Sequence, residues 1–336
     1  MKRIVTFGEV MMRLTTPGHQ RFTQAKGFEA TFGGGEANVS MSLAQFGLEA
    51  AHITRFPDNE LGQAAIQFLK TNNVSTDHIV KGGDRLGLYF LETGSSVRPG
   101  KIIYDRANSA FAGVEPEMID WEKVLDGASW FHWTGISPAI SAGAAACCKA
   151  ALEVAYAKGI TVSGDVNYRK NLWQYGKSAQ EVMPDLIAKS DVLVTGVRDA
   201  AEILNIYPEA GADNEEISVY NKIIERFPNV KKIVNTTRNS ISATHNKLSG
   251  NLYDGKQFLK TREYEINPIV DRIGGGDAFL AGLIYGMHEL EGDQEALDFG
   301  VAAAVLKHTI EGDVNLARVE EVQDILAGDT SGRIKR

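Results

Sequence analysis

Cysteine is nearly missing from this chain: among 336 residues only Cys147 and Cys148 occur, side by side in an alanine-rich run. Adjacent cysteines do not build a disulfide framework, and no C-x-x-C or similar spacing is present to ligate zinc. The pair reads as small buried side chains in a protein of the reducing cytosol. A basic surplus is lacking too. Lys and Arg number 35 against 43 Asp and Glu, a net charge of -8, which argues against a nucleic-acid partner. No apolar stretch is long enough to span a bilayer. The opening "MKRIVTFGEVMMRL" places Glu9 and Arg13 where a signal peptide needs an unbroken apolar core. The expectation is a cytoplasmic protein without membrane or nucleic-acid partners.

Familiar nucleotide and metal fingerprints are also missing. Neither "FGGGEAN" nor "IGGGDAF" fits G-x-G-x-x-G, which removes the support for a dinucleotide-binding reading. "GNLYDGK" (250–256) has the spacing of a Walker A loop, but Gln257 stands where Ser or Thr must hold Mg²⁺, and Tyr-Asp-Gly-Lys reads as a hairpin turn. No H-E-x-x-H occurs, and His132 in "WFHWTG" reads as a packed core residue. There is no low-complexity linker and no internal repeat. The closing "SGRIKR" reads as a solvated tail.

What is present is a regular alternation. At 43% hydrophobic, the chain can bury a large core. "RIVTFGEV", "AAHITRFP", "ASWFHWTGI", "GITVSGDVN", "SDVLVTG" and "VKKIVNTT" read as strands, with helical or mixed segments such as "EANVSMSLAQFG" and "ELGQAAIQFLKTNN" between them. This pattern predicts an α/β fold with a parallel sheet covered by helices. Residues 12–32 and 85–112 break the rhythm as extended segments without helices. They predict a small β-lid made by two insertions on one core domain.

"DRIGGGDAFLAGLIYGM" carries the chemistry. Glycines 274–276 allow a sharp turn into an amphipathic helix, and the exposed N–H groups of such a turn form an anion site. Taken alone, Asp277 fits a first-turn helix acid. Phosphoryl transfer, however, needs positioning, charge neutralisation and a group to accept the proton of the attacking hydroxyl. A carboxylate just inside a phosphate cradle meets that last need.

With these residues in view, the chain resembles PfkB-type (ribokinase-family) carbohydrate kinases over nearly its full length. The family's late D-T-x-G-A-G-D run is met by "DRIGGGD" (271–277), with Arg272 in place of Thr and Gly275 in place of Ala. Its early Gly-Gly-x-x-x-Asn run is met by "GGGEANVSMSLAQFG" with Asn38, followed by "DNELG" (58–62). The resemblance implies a Rossmann-like core under a β-lid, one kinase domain over 1–336, and use of ATP and Mg²⁺. It implies Asp277 as catalytic base, Gly274, Gly275 and Gly276 as the anion hole, and Gly34 and Gly35 at the sugar. Thr237, Asn239, His245 and His308 fall where the family places its nucleotide loops. The family's Asn-x-x-Glu is replaced by Gly196 and Asp199 in "TGVRDAAEIL", leaving Asp199 as the metal candidate. A homodimer joined through the lid is the implied assembly.

Within the family, "GLYFLE", "YDRANSA", "DVNYRKNLW" and "GDVN" are similar to 2-keto-3-deoxygluconate kinases. That likeness implies Tyr89, Tyr104, Arg106, Arg169 and Asp313 at the substrate. An acidic sugar needs a cation, and guanidinium forks match a carboxylate. A buried arginine left unpaired by a neutral sugar costs about 2–5 kcal/mol, roughly thirty-fold or more in discrimination. A fructokinase, or a non-catalytic sugar-binding regulator on the same fold, are the competing expectations.

Overall fold

In the computed structural model the structure describes residues 3–329 and Gly332. Most of "SGRIKR" lies outside the described residues. Among them, a ten-stranded sheet forms the centre. From one edge its order runs Phe258–Lys260, His245–Tyr253, Lys232–Ser242, Val192–Val194, Thr161–Asp165, Ala128–Thr134, Arg3–Phe7, Glu49–Ile53 and Val74–Ser75, with Tyr264–Ile266 also on His245–Tyr253. From Lys232–Ser242 to Val74–Ser75 every pairing is parallel. Beyond it the sheet turns antiparallel, because Lys232–Ser242 runs straight into His245–Tyr253 with no helix between them. Asp254 Oδ1 accepts from the backbone of Lys256 and Gln257, so "YDGK" is the hairpin turn read in the sequence.

Parallel strands buried on both faces must be apolar at successive positions. Val5, Phe7, Phe131, Trp133 and Ile233 enter one buried cluster, where Cys147 and Cys148 of helix Ala142–Ala157 pack on them. The alternate residues Ile4, Trp130, Val192 and Val234 enter a second, under helices Gly275–Glu289 and Asp293–Lys307. His132 is buried with Nδ1 against Ser163 Oγ at 2.9 Å, and burial lowers it to about 3, so it is a neutral core residue.

A separate four-stranded sheet contains Glu29–Gly33, Met11–Thr15, Leu88–Glu92 and Lys101–Asp105 in that order. The first two strands come from the segment after Arg3–Phe7 and the other two from the segment before Ala128–Thr134. Strand order in the large sheet reverses at Arg3–Phe7, whose neighbours are Glu49–Ile53 and Ala128–Thr134. Open α/β sheets bind ligands outside the carboxyl ends of strands at such a switch point. Met11, Tyr89 and Tyr104 of the small sheet line one cavity with Asp165 at the carboxyl end of its core strand. Among the described residues no helix is long and apolar enough to cross a membrane.

Candidate active site

Two glycine-rich turns build the floor of the site. The early turn enters helix Gly35–Gln45 through Gly34, where any Cβ would lie 2.0 Å from the Glu9 carbonyl. The late turn enters helix Gly275–Glu289 through Gly274, at φ 80°, where a Cβ would lie 1.9 Å from the Asp313 carbonyl. Only glycine satisfies both the left-handed backbone and that approach. Gly276 meets nothing within 4 Å and is open. Gly275 does a different job: a Cβ there would lie 2.6 Å from the His308 ring.

Asn38 joins the two turns. Its Nδ2 donates to Asp277 Oδ2 at 2.7 Å, while its Oδ1 accepts from the Gly34 N–H at 3.3 Å. Burial pushes the Asp277 carboxyl up to about 7, against the Asn38 donor, with the charges of Asp313 and Glu36 adding to the rise. The side chain is half-buried and opens on a cavity of about 320 Å³. A carboxylate near 7 can take and return a proton at neutral pH.

The cavity brings together Gly34, Gly35, Tyr89, Tyr104, Arg106, Arg169, Gly274, Gly276, Asp277 and Asp313 from the sequence expectations. Several have partners that the sequence did not disclose. Arg106 Nη2 is 2.5 Å from Glu9 Oε2, and Ser109 Oγ also donates to Glu9, so much of its charge is already met. Arg169 is exposed and in no ion pair among the described residues. Tyr89 donates to Asp313 Oδ2 at 2.5 Å, and Arg13 Nη1 lies 2.7 Å from Asp313 Oδ1. Arg13 Nη2 lies 2.5 Å from Asp271 Oδ2. Asp313 thus anchors the lid strands of Arg13 and Tyr89 at the cavity edge.

Four nucleotide expectations do not reach this cavity. His308 is 1% exposed, its Nδ1 2.6 Å from the Ala304 carbonyl and its ring packed behind Gly275. Burial lowers it to about 4, so it supports the loop as a neutral side chain. His245 pairs instead with Glu265 at 2.7 Å. Thr237 and Asn239 alternate with Arg238 along their strand, and it is Arg238 that lines the cavity. Asp199 is half-buried, raised by burial and held down by Arg169.

Four residues escaped the sequence reading. Asp165 lines the cavity, and burial, then the charges of Asp277 and Asp199, push it up to about 7. Glu36 is buried with Thr134 and Ser137 donating to Oε1 at 2.8 and 2.7 Å. Glu9 and Arg238 complete the set. The "DVN" and "GGGEAN" contexts held Asp165 and Glu36 in plain view; their burial is visible only in three dimensions. No group of three or more His, Cys, Asp or Glu that could cage a metal occurs among the described residues.

An α/β core with two glycine-rich helix entries, a carboxyl raised to about 7 and a separate small sheet at one cavity is the architecture of a sugar kinase of the ribokinase-like fold. Residues 1–318 match the pfkB family carbohydrate kinase profile, and the chain belongs to that family. A 2-dehydro-3-deoxygalactonokinase of Haloferax volcanii is 31% identical over 331 residues, covering 98% of both chains. The crystal structure of a 2-dehydro-3-deoxygluconokinase from Thermotoga maritima is 42% identical, with TM-score 0.92 over 98% of this chain and 100% of that one. An E. coli protein solved with ATP and Mg²⁺ shares the fold at TM-score 0.80 and 18% identity, over 98% of this chain and 100% of that one.

Proposed function

We propose that this protein uses ATP to phosphorylate the terminal hydroxyl of 2-keto-3-deoxygluconate, giving the 6-phosphate. The observation that carries the reading is the shared cavity of Asp277, the open Gly276 turn and Arg169. Arg169 pairs with the substrate carboxylate, and Arg106, fixed by Glu9, aligns the sugar beside Tyr104. The terminal hydroxyl oxygen attacks the γ-phosphorus while its proton passes to Asp277. The bond to the β,γ-bridging oxygen breaks, and ADP leaves. Backbone N–H groups of the 274–276 turn hold the transferring charge.

Asp165 and Asp199 are the carboxylates that would hold Mg²⁺. An ion bound through one or two carboxylates plus phosphate oxygens needs no closed protein cage. Burial, then the charges of Asp277 and Asp199, raise Asp165, and a cation would relieve the charge part of that rise. When bound, Mg²⁺ offsets triphosphate charge. The galactonate epimer is the second reading, favoured by the Haloferax relative. The outer lid strand Lys101–Asp105, exposed along its length, offers the face for a homodimer, checked by sedimentation. We place the enzyme in the cytoplasm.

The test is ADP release with Mg-ATP on 2-keto-3-deoxygluconate, its galactonate epimer, fructose and ribose, with phosphorus NMR locating the new ester. Turnover on the keto-acids with a terminal phosphate supports the reading. Preference for fructose overturns the substrate; no turnover by folded protein overturns the reaction.

A further inference from the structure

Four guanidiniums converge on the cavity, those of Arg106, Arg169, Arg238 and Arg272. Glu9 meets the first. A substrate carboxylate meets Arg169. Arg238 and Arg272 remain, and neither is in an ion pair among the described residues. Arg272 Nη2 donates to two uncharged carbonyls, Ala243 at 2.6 Å and Ser242 at 3.3 Å. Those bonds fix the guanidinium against the hairpin tip without neutralising it, and leave Nε and Nη1 free of them. The residue stands two positions before Gly274, directly upstream of the anion turn, where the related run has threonine. Burial, then the charges of Arg272 and Arg169, lower Arg238 from its ordinary value. Arg238 and Arg169 are exposed and Arg272 is half-buried, so what raises the energy of the free protein is the crowding of like charges on one cavity, which a polyvalent anion relieves.

We propose that Arg238 and Arg272 form a two-arginine clamp for the phosphate chain of the nucleotide, with Arg272 beside the phosphoryl group that is transferred. The clamp rests on the kinase reading but not on the identity of the sugar. It predicts that affinity climbs with phosphate number because each added phosphate gains a guanidinium fork.

The experiment measures binding of AMP, ATP and inorganic tripolyphosphate by calorimetry without sugar, for wild type, Arg238→Gln, Arg272→Gln and Arg272→Lys. Glutamine at 272 removes the charge and, two bonds shorter, also the reach to the Ala243 carbonyl, so AMP binding serves as the control: a purely structural loss lowers AMP and ATP affinity alike. Expected is a loss of about thirty-fold or more in ATP and tripolyphosphate affinity for both glutamine variants, with AMP nearly unchanged and partial recovery in Arg272→Lys. Wild-type ATP affinity in folded Arg272→Gln and Arg238→Gln overturns the clamp, as does an equal loss for AMP and ATP. A wild type that binds neither ATP nor tripolyphosphate overturns the kinase reading itself.

Discussion

The poised carboxyl of Asp277 makes a two-sided prediction. With its pKa raised to about 7 by burial, roughly a tenth of the free enzyme carries the ionised base at about pH 6 and about nine-tenths at about pH 8. With magnesium saturating the nucleotide, kcat/KM should rise close to ninety-fold between about pH 5 and about pH 8, then level off. Asp277→Asn should cost about 10²–10⁴ in kcat at every pH and remove the titration. Stability must move the other way. A carboxyl whose folded pKa lies above its unfolded value of about 3.9 favours the fold while protonated. That contribution is complete below about pH 4 and is lost as pH rises through about 7. The shift corresponds to about 2–4 kcal/mol, the lower figure allowing for the part of the side chain open to the cavity. Asp277→Asn should therefore match the wild type in chemical denaturation near pH 4 and exceed it above about pH 7. A flat kcat/KM profile, or an asparagine variant keeping more than about a tenth of kcat, would refute the base assignment.

Four further outcomes follow from the geometry. Asn38→Ala removes the donor that draws Asp277 down, so the kinetic midpoint should move upward by about half a unit to one unit with the plateau largely kept; an unchanged midpoint counts against the bridge. Arg13→Met strands Asp271 and Asp313 in the interior and should cost about 3–5 kcal/mol in urea unfolding. Gly274→Ala forces a Cβ toward the Asp313 carbonyl at positive φ, and kcat should fall by about a hundred-fold with the fold retained by circular dichroism. Asp165→Asn and Asp199→Asn should each raise the Mg²⁺ concentration for half-maximal rate by about ten-fold or more; a rate that stays independent of both carboxylates removes them as metal ligands.

What could be read from the sequence was local or motif-bound. Alternating periodicity exposes the strands, and the two glycine runs place Asp277 and Asn38 even though 239 residues separate them. Pairings outside any motif leave no such mark. Arg13 meets Asp271 and Asp313 across 258 and 300 residues, and nothing in "MMRLT" or "GDVN" signals that one guanidinium serves both carboxylates. Family likeness in "YDRANSA" puts Arg106 at the substrate, while its Glu9 partner sits ninety-seven positions upstream. His308 was assigned by loop position alone; its burial depends on helix Gly275–Glu289 crossing helix Asp293–Lys307, a packing fact. The alternation of Thr237, Arg238 and Asn239 could have been used, since a strand gives the cavity only one side of that trio.

The buried link of Arg13 and Tyr89 to Asp313 and Asp271 has a consequence for grafting. A lid strand carrying Arg13 or Tyr89 cannot be exchanged between kinases as a free cassette, because its charges are balanced by residues of the core near the opposite end of the chain. A chimera that imports a foreign lid without replacements at 271 and 313 would leave two buried acids with Lys307 but without the guanidinium that pairs with both. The transferable unit for re-aiming sugar preference is therefore discontinuous: both lid insertions together with the segment from Asp271 to Asp313.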